Sequence, residues 1–354
     1  MSLGNSARAA WRRIKEPVLE GRGTPVQRFL YRALSGFVSR HKGALAADDL
    51  PARALWLMYH PEAGVLPCDG WRMDDPPRIA SSELAELRAR RAADAASVAA
   101  RLNLFETPLA AARADAAHGR RIAVHIHAYF PELLPQILAA LDAAAIPCDL
   151  FVSVPEGAHA PEVLAGHPRC TVRACPNRGR DIAPLVCLFG KDLASYDYIA
   201  HFHTKKSPHV KDRPDWLAHE LRHLLGGADA VRRVFGLLAD GCGMVAAPDV
   251  LGMAEDPTGW LHNLPLAEDL ARRGGLAVDL RGHFTPIAFP QGSMFWARGE
   301  FLARLFALPL TFGDFPAEPI GADGSPAHAL ERLFFLWGLG TGLRVARLAE
   351  GGCA

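Results

Sequence analysis

One run of the chain concentrates imidazole and ammonium groups: Tyr196-Asp-Tyr-Ile-Ala-His-Phe-His-Thr-Lys-Lys-Ser-Pro-His209. Lysine is scarce elsewhere. Of 39 basic residues, 33 are Arg and 6 are Lys, and Lys205, Lys206 and Lys211 fall within seven positions. An ammonium is a compact charge suited to phosphate oxygens, so the run reads as a phosphate site placed at the end of a strand. His201 and His203 are two apart and share one face of that strand, where they could also chelate a metal. A second run, Asn177-Arg-Gly-Arg-Asp181, follows a strand and opens a helix. Gly179 permits a tight backbone path and the helix start offers free N–H groups. Arg178 and Arg180 can fork onto phosphate or ribose oxygens, and Asp181 can cap the helix or accept from a ribose hydroxyl.

Two further runs sit toward the C-terminus. Phe289-Pro-Gln-Gly-Ser-Met-Phe-Trp-Ala-Arg298 places Gln291, Ser293 and Trp296 where they could floor a second pocket. Glu318, Asp323 and Glu331 are carboxylates able to serve as a general base, although Asp323 also suits a helix N-cap and Glu331 a salt-bridged position. A fifth run, His219-Glu-Leu-Arg-His223, matches H-E-x-x-H, in which two histidines on one helix face bind zinc and Glu220 acts as base. Trp216, Leu217, Leu221, Leu224 and Leu225 give the same segment an ordinary core stripe, so the zinc protease is carried as an alternative.

The elements that must hold these runs change character along the chain. Residues 1–118 are rich in Ala, Arg and Leu and read as a mainly helical, loop-rich appendage with helices at 29–37 and 82–104. Trp11, Arg12, Arg13, Lys15, Arg28, Phe29 and Arg32 form a basic, aromatic arm suited either to packing or to an anionic membrane surface. From residue 119 strands and helices alternate. Strands are expected at 121–129, 148–154, 170–175, 196–203 and 243–247, and helices at 131–145, 161–165, 182–189, 215–225 and 228–238. Alternation of this kind predicts an α/β fold with a mostly parallel sheet and helices on both faces. Ligands then bind outside the carboxyl ends of the strands, which selects Tyr129, Ser153, residues 177–181 and residues 201–206.

Bulk properties bound the function. At 354 residues, 50% hydrophobic and 22% charged, the chain can build an ample core. A net charge of +1 argues against general nucleic-acid binding and makes any anion site local. Seven cysteines show no CxxC pair and read as reduced thiols, which favours a cytoplasmic setting, and no signal peptide is expected.

The runs at 177–181, 196–209, 291–298 and 323–333, in that order, resemble the rhamnan synthesis protein F family of bacterial polysaccharide glycosyltransferases, over roughly residues 120–340. The resemblance implies a glycosyltransferase A-like, Rossmann-like domain at 119–354, with a nucleotide-sugar half at 119–248 and an acceptor half at 249–354. In that fold an Asn-x-Gly turn follows the third strand and a metal-binding Asp-x-Asp ends the fourth; here the latter place reads His201-Phe-His203. The implied reaction moves a sugar, such as L-rhamnose from dTDP-rhamnose, onto a glycan or lipid-linked glycan of surface polysaccharide. Inversion at the sugar would need one carboxylate base, Asp323 first and Glu331 second. Asn177, Arg178, Arg180, Asp181, Lys205 and Lys206 would hold the nucleotide side, with Tyr129 and Ser153 near the base. Gln291, Ser293, Trp296 and Glu318 would face the acceptor. Arg178, Arg180, Lys205 and Lys206, opposed by Asp181, can offset a diphosphate, so transfer is expected to need no metal or only weakly Mg2+ or Mn2+. Peripheral contact with the inner membrane or with other assembly enzymes is a further expectation. A non-catalytic nucleotide- or glycan-binding module is the remaining alternative.

Overall fold

A computed structural model describes residues 81–107, 115–158, 161–204, 216–249, 259–321 and 323–349, all within one compact unit. Lys205, Lys206, Lys211 and the basic N-terminal arm lie outside the described residues, as do the helix expected at 29–37 and the inference of membrane contact. Eight described strands make one sheet: β1 (Leu104–Thr107), β2 (Ile122–His127), β3 (Asp149–Pro155), β4 (Cys170–Cys175), β5 (Tyr198–His203), β6 (Cys242–Ala246), β7 (Phe295–Arg298) and β8 (Arg344–Leu348). Their order is β1-β8-β6-β7-β5-β2-β3-β4. Every neighbouring pair is parallel except those made by β7, which runs against both β5 and β6. The mostly parallel α/β sheet expected from the alternation is present.

Helices cover both faces. On one side lie α1 (Ser81–Leu102) and, later in the chain, helices that flank β7 and β8; on the other lie three helices of the first half. The first of these, α2 (Leu134–Ala144), follows a 3-10 turn opened by Pro131 and stops where Ala145 turns left-handed at φ 52°. It buries Leu134, Ile137, Leu138 and Leu141, the i, i+3, i+4, i+7 stripe of a helix with one apolar face. Each such side chain contributes about 1.5–3 kcal/mol by leaving water. After α3 (Trp216–Leu225), α4 (Ala228–Ala239) repeats the pattern with Val231, Val234, Phe235 and Leu238. Further on, α5 (Leu264–Arg273), α6 (Gly299–Phe306) and α7 (Pro326–Leu333) complete the opposite layer.

The boundary expected at 118 does not separate an appendage from the sheet within the described residues. β1 precedes it, yet pairs with β8 from Leu104↔Val345 to Thr107↔Leu348. Four residues at a sheet edge, reading Leu-Phe-Glu-Thr, are too short for alternation to announce them.

Candidate functional site

The chain steps from β2 through β3 to β4 and then returns to place β5 on the other side of β2. The direction of winding reverses there, so the connections leaving β2 and β5 diverge and open a crevice at their carboxyl ends. Thr204 ties the two ends together: its Oγ1 donates to the His127 carbonyl at 3.3 Å and accepts from the Phe130 N–H at 2.8 Å. β7 is antiparallel, so it brings the loop before it, not after it, to this edge; His201 pairs with Phe295 and Gly292 and Ser293 follow the rim. A cavity of about 580 Å3 fills the crevice. Tyr129, Asn177, Arg180, Asp181, His203, Ser293, Glu318 and Glu331 line it, so the structure gathers these expected residues from both halves of the chain.

The Asn177–Asp181 turn forms one wall. Gly179 sits at φ +67°, and a Cβ there would lie 2.5 Å from Phe315 and 2.6 Å from Ala183, so the position needs glycine twice over. Arg180, at φ 54°, donates to the Gly321 carbonyl and passes 3.9 Å from the Glu318 carboxylate. Arg178 turns away from the cavity and donates to the Phe315 carbonyl at 2.8 Å, locking the turn onto residues 315–317. It therefore positions the wall, and its charge is not one of those facing a ligand.

Asp181 does not cap the following helix with its side chain. Its carboxylate accepts from His201 Nε2 at 3.2 Å and lies 3.9 Å from His203 Nε2, which donates to the Gly292 carbonyl at 2.8 Å. Burial pushes the Asp181 carboxyl up, but His203, the bond from His201 and the fields of His201 and His127 outweigh it, so Asp181 stays ionised well below the usual carboxylate range.

Behind it lies a network that the sequence runs did not reveal. β2 ends His125-Ile-His127 and pairs in register with His201-Phe-His203 of β5. Four imidazoles thus share one face. His201 Nδ1 meets His125 Nδ1 at 2.9 Å, His125 Nε2 meets Ser153 Oγ at 3.1 Å, and Ser153 Oγ meets His127 Nδ1 at 2.9 Å. Ser153 is fully buried inside this network rather than beside a nucleotide base. Burial first, then the neighbouring His201 and His127, lowers His125 well below the imidazole range; burial likewise brings His127 down to about 4. His201 spends one ring nitrogen on Asp181 and the other on His125, so as arranged it has no lone pair for the metal that it and His203 could have chelated. Among the described residues no group of three His, Cys, Asp or Glu is arranged to hold a metal ion. The signal that could have found the network was the second His-x-His, on a neighbouring strand.

The opposite wall comes from the acceptor half. Ser293, left-handed at φ 62°, donates its hydroxyl to Glu331 at 3.2 Å. Two of the non-glycine residues held at positive φ, Arg180 and Ser293, therefore line the same cavity, where strain is commonly kept for function. Ser325 caps α7 and holds His328 Nδ1 at 2.8 Å, leaving His328 Nε2 buried without a partner at the cavity wall. Burial, then Arg180 and Arg332, lowers His328 to about 4, so it is neutral.

Three expected residues are elsewhere. Asp323 is a clasp: it accepts from the His262 N–H at 3.0 Å and from Asn263, and pairs with Arg332 at 3.2 Å, fastening the start of α7 to α5. Trp296 is fully buried on the far face, donates to the Leu224 carbonyl at 3.0 Å and packs edge-on against Phe235. It is core and cannot stack on an acceptor sugar. Gln291 lines a separate cavity with Arg88, Arg91, Asp249 and Arg347.

Among the described residues the His219–His223 pair belongs to no group of three His, Cys, Asp or Glu that could hold a metal ion. α3 is a buried crossover helix, His219 Nε2 donates to the Pro248 carbonyl at 3.0 Å, and His223 Nδ1 donates to the His219 carbonyl at 2.9 Å. Glu220, also buried, accepts from Trp216 Nε1 at 3.1 Å.

A mostly parallel α/β sheet flanked by helices, with a cavity at its switch point, is an architecture of the Rossmann-like kind. The particular family follows from sequence comparison: the family described as rhamnan synthesis protein F matches residues 88–340, and the chain belongs to it. That family's description concerns the synthesis of rhamnan, a polysaccharide. The chain is also similar to two uncharacterized proteins named WxcX from Xanthomonas campestris pv. campestris. With that of strain ATCC 33913 it is 30% identical over 245 residues, covering 64% of this chain and 32% of the relative. With that of strain B100 it is 29% identical over 240 residues, at the same coverage. The chain thus spans about a third of the length of these curated relatives. No helix among the described residues is long and apolar enough to cross a membrane.

Proposed function

We propose that the chain is a glycosyltransferase of polysaccharide assembly, with a glycosyltransferase A-like fold, that takes a nucleoside-diphosphate sugar in the switch-point cavity. L-Rhamnose carried on dTDP is the donor the family membership favours, and a glycan or lipid-linked glycan the acceptor. The observation that carries the reading is the pairing, across one cavity, of the Asn177–Arg180 turn with the Ser293–Glu331 hydrogen bond. The turn supplies a cationic, N–H-rich wall for a diphosphate. Tyr129, 42% exposed at the rim, offers a ring for stacking. The opposite wall supplies the carboxylate that takes the acceptor hydroxyl proton as the glycosidic bond forms. Glu331 has this role because it lines the cavity, whereas Asp323 is spent on its clasp. Lys205 and Lys206 follow Thr204 directly in the chain and add cationic charge for the leaving group. Transfer therefore requires Mg2+ or Mn2+ weakly or not at all.

A thermal-shift screen of nucleotide sugars with Mn2+ and with EDTA tests the reading. A ligand at 100 times its Kd stabilises by about 2.7 kcal/mol. A shift with one nucleotide-sugar class that survives EDTA supports it. Absence of any shift across the panel, with no nucleotide release on adding acceptor, would remove it.

A further inference from the structure

Asp181, His201, His125, Ser153 and His127 form an unbroken line of hydrogen bonds, with contacts of 3.2, 2.9, 3.1 and 2.9 Å. Imidazoles buried between the layers of a mostly parallel sheet are costly, and a merely structural role would be met by aliphatic residues. The line begins at an ionised carboxylate and ends at His127, whose ring borders the cavity and whose Nδ1 is held by Ser153. Nε2 is then the nitrogen left for a ligand. His203 and Asp181 stand beside this end, with Arg180, His328 and Glu331 across the cavity.

We propose that this line is a proton relay that delivers a proton from His127 Nε2 to the departing diphosphate, an inference that rests on the glycosyltransferase reading above. In the loaded state His201 carries both ring protons beside Asp181. Its Nδ1–H donates to His125 Nδ1, His125 Nε2–H donates to Ser153 Oγ, and the Ser153 hydroxyl donates to His127 Nδ1. As the acceptor oxygen bonds to the anomeric carbon, the bond from that carbon to the diphosphate oxygen breaks and its electron pair stays on the oxygen. The acceptor proton goes to Glu331, and the diphosphate oxygen takes the proton from His127 Nε2. His127 Nδ1 then takes the serine proton, Ser153 takes that of His125 Nε2, and His125 Nδ1 takes that of His201 Nδ1. Every ring ends neutral, with His201 Nε2–H still donating to Asp181. The proton gained by Glu331 and the one lost from the line exchange with water in the open cavity after product leaves. His127 is the catalytic residue; the other four act through it. The Asp181 carboxylate bonded to His201 Nε2 sets the end from which the line is loaded, and burial keeps His125 and His127 neutral between turnovers.

Ser153→Ala cuts the line with the loss of one oxygen. Two readouts test it in the full chain. Ring-nitrogen NMR of histidine-labelled protein follows His127, His125 and His201 during acidification without ligand and on adding dTDP. The relay predicts that the three wild-type rings change together and that in Ser153→Ala the response to either perturbation stops at His127. A His201 response unaltered by Ser153→Ala, or a wild-type response confined to His127, overturns the relay. The second readout is turnover: Ser153→Ala should lower kcat with nucleotide sugar about 10- to 100-fold while donor KM holds, and Ser153→Thr should restore it. An unchanged kcat overturns delivery to the leaving group. Concerted titration without any nucleotide-sugar turnover would leave the proton line standing and remove the glycosyltransferase reading and the delivery step with it.

Discussion

Two histidine-rich regions lie in this molecule, and they behave in opposite ways. On α3, His219 and His223 have a recognised catalytic spacing, yet their bonds run to the backbone carbonyls of Pro248 and His219. On β2 and β5 the spacing matches no known motif, yet four imidazoles, a serine and an aspartate connect to one another at the wall of a cavity. The difference is what each ring nitrogen bonds to. On α3 backbone carbonyls accept the ring N–H groups, whereas on β2 and β5 the ring nitrogens bond to other side chains along the carboxyl edge of a parallel sheet, where ligands bind. Spacing proposes a site, and the partners of each nitrogen decide it.

The comparison can be broken from either side. Glu331→Gln should give the largest effect, lowering transfer about 10²- to 10⁴-fold with donor affinity retained. Nucleotide-release kinetics beside a calorimetric donor titration measure both, and an unchanged rate would take Glu331 out of the mechanism. Acid should weaken the strand cluster next. The folded state holds His127 near 4 while the unfolded chain binds its proton near 6.5. Its contribution is complete above the unfolded value and is lost as pH falls toward 4, about 3 kcal/mol in all. Denaturant melts at stepped pH should show this slope, flattened in His127→Gln. Asp181, depressed in the fold, adds to the loss only at lower pH, as it protonates. On the α3 side, His219→Ala should cost about 1–3 kcal/mol by leaving buried polar groups unpaired, with turnover per folded molecule unchanged. A stoichiometric zinc ion lost in this variant would restore the metal reading of α3. The smallest effect belongs to Trp296→Phe, about 1 kcal/mol from the lost bond to Leu224, with acceptor KM unmoved. A raised acceptor KM would return Trp296 to the site.

Much of this was legible in the sequence. The apolar run at 196–203 yielded a strand buried on both faces, observed at Tyr198–His203, and the one-sided apolar stripes of α2 and α4 yielded their helices. Glycine between two arginines marked the Asn177–Asp181 turn correctly. The antiparallel course of β7 and the edge pairing of β1 were not legible, since four-residue strands carry no period and their partners lie far along the chain. Trp296 and Asp323 lie away from the cavity for reasons of their own. A tryptophan beside polar residues faces the core once the pleat is counted, and an acid before a helix can bond to another helix instead. The relay needed register, because only the pairing of His125 with His201 turns two unremarked dipeptide spacings into one network.

The central claim is that the switch-point cavity takes a nucleoside-diphosphate sugar against the Asn177–Arg180 wall. Calorimetric titration of a nucleotide-sugar panel into wild type and Arg180→Ala tests it most directly. The account predicts saturable one-to-one binding of one donor class, weakened about tenfold or more in Arg180→Ala by the loss of a charge-assisted contact. Binding of no nucleotide sugar, or equal binding by both proteins, would contradict it.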